Sequence, residues 1–417
     1  MKRIASSVFL AAALGGSLYL AFVAMPESRA IATVRPGEPA EPAKPEPPPV
    51  THLPTPVTVK ALYVTACYAA DSTLREKLVK IADETEINAL VIDIKDWSGT
   101  VVFFPEEPDV AALATGAPAG APSGCVVSDM RAFVAELHAR QIYAIARLTV
   151  FQDPRYAPLH PEQAVQNADG SVWKDRKGIA FVDVGAKPYW DFVVGLSKSA
   201  YAIGFDEVNF DYVRYPTDGD IREAVYPHSG AAIAADPVDG RRRSLRAFFE
   251  YLDAALPDGA PVTSVDLFGM TTNAADDMGI GQYLEDAMAS FDAVAPMVYP
   301  SHYPATWNGY PNPNDNPGGV VFDAMTFAVD RGNALIAPTT TPEHVRARAV
   351  PSRQLRAWIQ DFDYGGDYDA ADVRAQIDAT ARAGAPSFMV WDPANRYTSA
   401  ALLPEGGAAT TSVAAGE

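Results

Sequence analysis

From Thr58 onward, short apolar segments rich in Val, Ile and aromatic residues alternate with longer segments of helical periodicity. This is the pattern of repeated βα units around a parallel sheet. Eight strands are predicted: Lys60–Thr65, Ala89–Ile94, Ile142–Leu148, Glu207–Tyr212, Val262–Leu267, Ala293–Tyr299, Arg356–Asp361 and Phe388–Asp392. Helices are predicted between them at Thr73–Glu84, Ser128–Arg140, Lys187–Ile203, Ser244–Leu256, Gly281–Ser290, Gly319–Asp330 and Asp369–Ala383. Eight strands in one chain favour a closed α/β (β/α)8 TIM barrel, a single catalytic-type domain, over an open doubly wound sheet. No GxGxxG or P-loop follows any strand to support the open sheet. Long irregular loops interrupt the rhythm between strands six and eight, and Glu106–Val127, rich in Ala, Pro and Gly, reads as an insertion without a chemical role.

The two ends of the chain carry a different pattern. Lys2 and Arg3 precede an apolar stretch, residues 4–25, and Ser28-Arg29-Ala30 offers the small residues a signal peptidase reads. Residues 1–30 are therefore an export signal, either cleaved after Ala30 or, since the stretch approaches the ~20 residues that span a bilayer, kept as an N-terminal membrane anchor. Residues 31–57, dense in Pro, Glu and Ala, read as an extended spacer. The barrel is expected over 58–400, and 401–417 as a flexible tail. The expected location is the periplasm or cell envelope.

Composition narrows the function. The 417-residue chain has 33 Lys plus Arg against 52 Asp plus Glu, a formal net charge of −19, which disfavours a nucleic-acid partner. Two cysteines exclude a disulfide scaffold and leave either one bridge, Cys67 to Cys125, or two free thiols. The six histidines are scattered without an HExxH pair, no GxSxG elbow occurs, and Asp93 with Asp96 lacks further ligands for a hard cation. No metal and no cofactor is expected.

Barrel active sites are built at the C-terminal ends of the strands, and several predicted strands end in polar residues. By the period-two rule, ALVIDIKDW puts Asp93 and Lys95 on one face, and FDEVNFDYVRYP puts Glu207, Asn209 and Asp211 on one face with Val208 and Phe210 on the other. Arg214 follows three residues later. The third strand ends in Arg147, the fifth in Asp266, the sixth in Tyr299 and His302, the seventh in Gln360 and Asp361, the eighth in Trp391 and Asp392. Carboxylates, one guanidinium and aromatics thus converge on one rim. Glycoside hydrolysis needs two carboxyl groups, donors that grip hydroxyls, and aromatic faces that stack on sugar rings.

Asp211 and Asp266 are the expected catalytic pair, with Asp93, Glu207, Asp361 and Asp392 as rivals. The expected substrate contacts are Asp93, Lys95, Arg147, Glu207, Asn209, Arg214, Tyr299, His302, Trp307, Gln360, Asp361, Trp391 and Asp392. The structural alternative is ion pairing, Asp93 with Lys95 or Glu207 with Arg147. Local packing is the corresponding alternative for Trp97, Trp173, Tyr299, Tyr303, Trp307, Tyr310, Trp358 and Trp391. The segment Ser301–Gly319, long and rich in Asn, Pro, Gly and aromatics, is expected to serve function.

TEINALVIDIKDW (85–97), IARLTVFQDP (145–154), NADGSVWKDRKGIAFVD (167–183), GFDEVNFDYVRYPTDG (204–219), LRAWIQDF (355–362) and VWDPANRYT (390–398) together resemble the bacterial putative glycoside hydrolase domain family. The resemblance runs from about Val59 to Tyr397. It implies a (β/α)8 barrel of glycosidase type in the cell envelope.

A weaker likeness, of FDEVNFDYV to the FDGxDxDWE strand of chitinase-type hydrolases, fails where it matters. Asn209 replaces the middle Asp and Val213 stands at the position of the proton-donating Glu, so that chemistry is not carried over. Two functions are compatible with these residues. One is an exported glycoside hydrolase that cleaves an envelope or extracellular polysaccharide with Asp211 as nucleophile or base and Asp266 as acid. The other is a non-catalytic polysaccharide-binding barrel tethered to the envelope.

Overall fold

The structure, a computed structural model, describes residues 48–116, 124–256 and 261–404. The expected signal or anchor, residues 31–47 of the spacer and the tail beyond Pro404 lie outside the described residues, among which no helix is long and apolar enough to cross a membrane.

Eight parallel strands close into a barrel in sequential order: β1 Lys60–Val64, β2 Ala89–Lys95, β3 Tyr143–Thr149, β4 Glu207–Asp211, β5 Val262–Phe268, β6 Ala293–Met297, β7 Arg356–Gln360 and β8 Ser387–Trp391. Each lies within one or two residues of its predicted position. Alternation explains why: one row of side chains, such as Leu90, Ile92 and Ile94 of β2, packs outward under the helices, while the next row fills the barrel interior with Ala61, Val91, Ile145, Trp358 and Met389.

The outer layer is α1 Ser72–Glu84, α2 Met130–Ala139, α3 Lys187–Ala202, α4 Gly240–Ala255, α5 Leu284–Ser290, α6 Pro317–Ile336 and α7 Ala370–Arg382. Local chemistry sets several of their starts. The Asp71 carboxylate accepts from the backbone N–H groups of Thr73 at 2.8 Å and Leu74 at 3.0 Å, and Asp369 with Asp372 forms a reciprocal capping box on α7. Inside the segment read as an insertion without a chemical role, Pro108–Thr115 is helical, with Pro at its first position. After β8 the described chain makes only a 3-10 turn, Ser399–Ala401, and then runs beside α1, where Glu86 N–H donates to Leu403 O at 2.8 Å.

The end of the barrel at the strand starts is closed by a buried ion pair. Arg356 Nη1 donates to Glu207 Oε1 at 2.7 Å and Oε2 at 2.8 Å, and Tyr143 O–H adds a bond at 3.2 Å. Residues 48–57, assigned to the spacer by composition, lie along this end. Leu53 N–H donates to Asp206 Oδ1 at 2.6 Å, Thr55 Oγ1 lies 3.0 Å from the Tyr143 hydroxyl, and the His52 ring stacks on Tyr201. Barrel chemistry is therefore confined to the opposite end.

Candidate active site

At the C-terminal ends of the strands, a cavity of about 310 Å³ opens over Arg147, Asp211 and Asp266, the inward residues of β3, β4 and β5. Phe210 pairs with Val265 across β4 and β5, so the next step sets Asp211 beside Asp266. Arg147 ties the group together: Nη1 donates to Asp93 Oδ1 at 2.6 Å, Nη2 bonds to Asp211, and Nε lies 3.9 Å from Asp266 Oδ2. Asp93 is held from its other side by the Tyr63 hydroxyl at 2.6 Å. Asp266 Oδ1 accepts from Asn209 Nδ2 at 2.9 Å and from the indole N–H of Trp358 at 2.7 Å.

Three buried carboxyl groups around one guanidinium cannot all ionise without penalty. Burial foremost raises Asp93 to about 6, against the opposing pull of Arg147. Burial and then the charge of Asp211 push Asp266 well above the usual carboxylate range. Burial thus favours the protonated form at Asp266 more than at its neighbours. Asp211 accepts from Arg147 and, at 2.5 Å, from the backbone N–H of Tyr212.

Tyr212 has φ of 55°, a left-handed conformation rare for an aromatic residue. The strain sits one residue beyond Asp211, where the chain turns to bring Tyr212 and Arg214 to the cavity wall. Gly269 lines the same wall, and a Cβ there would meet Met297 O at 2.4 Å, so only glycine lets the β5 loop approach β6 this closely. Opposite, Trp391 stacks on Tyr299 with ring centroids 5.1 Å apart and planes at 27°, and Phe362 meets Trp391 edge-on. His302 stands at the rim beside Tyr299 and Phe362, and its partial desolvation lowers its pKa.

Of the residues singled out in the sequence, Arg147, Asp211, Arg214, Asp266, Tyr299, His302, Tyr303, Trp358 and Trp391 line the cavity. Asp93 lies behind Arg147, and Asn209 beneath Asp266. The others stand elsewhere. The register of β2 against β3 slips between Asp93, opposite Arg147, and Lys95, opposite Leu148. Lys95 thereby leaves the inward row and pairs with Asp153 at 2.9 Å, not with Asp93. Glu207 has no exposed surface and pairs with Arg356 at the far end of β4, not with Arg147.

Gln360 is consumed by Ser301 and the carbonyl of Phe362. Asp361 binds the backbone and hydroxyl of Thr398, each at 2.7 Å, and Asp392 binds the N–H of Ala394, so both shape the β8 loop. Trp307 packs on Tyr303, Tyr310 and Phe327, away from the cavity. Only the start of 301–319 thus reaches the site. Asp96 binds Ser98 and Thr100 within its own turn. Sequence reasoning passed over Tyr212, Phe268, Gly269, Met270 and Met297; the Phe-Gly ending of β5 was the one available signal.

Residues 61–397 match the family model described as putative glycosyl hydrolase domain. The chain belongs to this family. Its family and fold are those of a glycoside-hydrolase-like enzyme. The glycosyl hydrolase domain is similar in structure to the PgaB (BpsB) glycoside hydrolase domain of Bordetella bronchiseptica, with 16% identity, 82% of this chain and 95% of that one covered, and a TM-score of 0.54. Alpha-L-fucosidase isoenzyme 2 of Paenibacillus thiaminolyticus matches with 11% identity, 82% of this chain and 48% of that one, and a TM-score of 0.51. A hypothetical protein of Ruminiclostridium thermocellum is 27% identical over 52% of this chain and 98% of that one, with a TM-score of 0.42. No curated protein matches.

Proposed function

We propose that the protein is an exported glycoside hydrolase that cleaves O-glycosidic bonds of an envelope or extracellular polysaccharide with the carboxyl pair Asp266 and Asp211. The observation that carries this reading is the adjacency of two inward carboxyl groups of unlike surroundings at one cavity floor. Asp266, fully buried and raised in pKa, is the proton donor to the leaving oxygen. Asp211, bonded to Arg147 and the Tyr212 N–H, is the nucleophile or base. The Tyr299–Trp391 stack offers an apolar face to a sugar ring, and the family membership supports a carbohydrate substrate.

Export rests on the N-terminal 30 residues, with the apolar stretch 4–25 serving as cleaved signal or membrane tether. The Cys67–Cys125 bridge, with Cα atoms 4.9 Å apart, suits an oxidising compartment. The test is reducing-end release from a panel of bacterial envelope and extracellular polysaccharides by the full chain and by Asp211→Asn and Asp266→Asn. Release that falls at least ~100-fold in both folded variants supports the reading. No release from any glycan, with saturable binding retained by both variants, replaces it with a polysaccharide-binding barrel.

A further inference from the structure

Two arginines reach the active-site cavity, and they differ in one respect. Arg147 is surrounded by Asp93, Asp211 and Asp266. Arg214 is only 8% exposed, yet among the described residues no carboxylate lies within ion-pair distance of it. Among the described residues, one of its five N–H donors is used, by Nη1 on Tyr215 O at 3.0 Å. Its guanidinium is enclosed by Phe268, Tyr212 and Phe181, with ring centroids 5.0, 5.2 and 5.9 Å away. Aromatic faces attract a cation but satisfy none of its N–H donors.

A buried cation without an ionic partner is unfavourable in a free protein, and desolvation accordingly lowers the pKa of Arg214. Asp211 and Asp175 act on it from a distance. Asp211 is engaged by Arg147, and Asp175 accepts from the backbone N–H groups of Lys177 and Ile179.

Position adds a second observation. Arg214 and Tyr212 form the shared wall between the cavity over Asp211 and Asp266 and a neighbouring cavity of about 510 Å³. The neighbouring cavity is bordered by Lys177 and by Trp97, whose side chain is 57% exposed. A glycan lying across both cavities passes the free face of Arg214 while one ring meets the carboxyl pair. The other charged groups at this second cavity are Asp175 and Asp218, and Asp218 lies 3.5 Å from Arg176.

We propose that Arg214 is the receptor for a substrate carboxylate, so that the glycan accepted here is acidic, carrying a uronic acid or an ether-linked acid on the residue next to the cleaved bond. The proposal rests on the hydrolase reading of the same cavity. A planar guanidinium with unused donors matches a planar carboxylate through two parallel bonds, which a hydroxyl or a cationic amino sugar cannot reproduce. The chain's net charge of −19 does not oppose this at contact range, because distant surface charges are screened beyond ~8 Å in physiological salt.

The experiment measures binding by calorimetry to the full chain carrying Asp266→Asn, so that no turnover intervenes. Matched probes separate the two sources of carboxylate. Cellouronate and oligogalacturonate are compared with their carboxyl-reduced forms, and N-acetylmuramic-acid-containing tetrasaccharide with tetra-N-acetylchitotetraose. The expected result is that an acidic member binds about 10- to 100-fold more tightly than its neutral counterpart. Adding Arg214→Gln should remove most of that difference by weakening the acidic member far more than the neutral one, and Arg214→Lys should restore part of it.

The melting temperature separates recognition from structure. Arg214→Gln removes an unpaired buried charge, so the variant should melt no lower than its parent. Three results overturn the proposal: no acid preference on any backbone, equal loss of both members in Arg214→Gln, or a destabilised Arg214→Gln with its preference intact. If acid-selective binding depends on Arg214 but the native chain cuts no glycan, the hydrolase reading fails and this one stands. If Arg214→Gln alone, with Asp266 intact, cleaves a neutral glycan at the native rate and no acid preference exists, the reverse holds.

Discussion

Asp211 and Asp266 stand next to each other on neighbouring strands and share a single guanidinium, that of Arg147. Neighbouring strands are ~4.8 Å apart, and for the proposed pair this spacing predicts the ~5 to 5.5 Å carboxyl separation of retaining glycosidases rather than the ~6.5 to 9.5 Å of inverting ones. The expected product on a cleaved glycan is one of retained anomeric configuration. Proton NMR during early turnover reads this directly, and an initially inverted anomer would show that another carboxylate partners Asp211.

Burial leaves a pH signature on Asp93. Its pKa is raised in the folded protein, from the ordinary 3.8 to about 6, so the folded state holds this proton more tightly than the unfolded chain. The associated stability is fully present below pH ~4 and is lost as the pH rises through about 6, roughly 3 kcal/mol in total. Relative to Asp93→Asn, the native protein should gain stability when the pH is lowered from 7 to 4. Urea denaturation of both proteins at several pH values checks the sign; a constant difference would mean that Asp93 is ionised across the range.

Glu207 was expected to touch substrate, but it closes the opposite end of the barrel. Glu207→Gln leaves the Arg356 charge buried without its counterion, and the expected loss of stability is about 3 to 5 kcal/mol. The catalytic end should not notice. Thermal melting and kcat/KM per folded molecule together check this, and a kcat/KM that collapses while the melting temperature holds would return Glu207 to the site.

The Cys67–Cys125 bridge closes a loop with a sequence separation of 58 that spans β2. Reduction should lower stability by about 2 to 4 kcal/mol, chiefly by loosening the unfolded chain. Thiol titration of the exported protein before and after reduction, paired with denaturation curves, tests both the bridge and its effect. An unchanged thiol titre removes the bridge.

Alternation along each strand was enough to predict the eight strands, the barrel class and the inward direction of Asp93, Arg147, Asp211 and Asp266, because side chains repeat every two residues on a pleated backbone. Position at or just beyond the strand ends was enough to single out Arg214, Tyr299 and Trp391, but not the stacking of Tyr299 on Trp391. Period alone does not say how far along the barrel axis an inward residue sits. Glu207 and Asp211 share a face of β4, yet one seals the base and the other forms the cavity floor. Nor does it reveal a break in register: the slip between Asp93 and Lys95 turns the lysine out to Asp153. Which carboxylates Arg147 holds, how strongly burial disfavours the charge on each, and which groups surround Arg214 depend on neighbours contributed by other strands and loops. Those choices are made by distance and burial in three dimensions, which residue order along one strand does not contain.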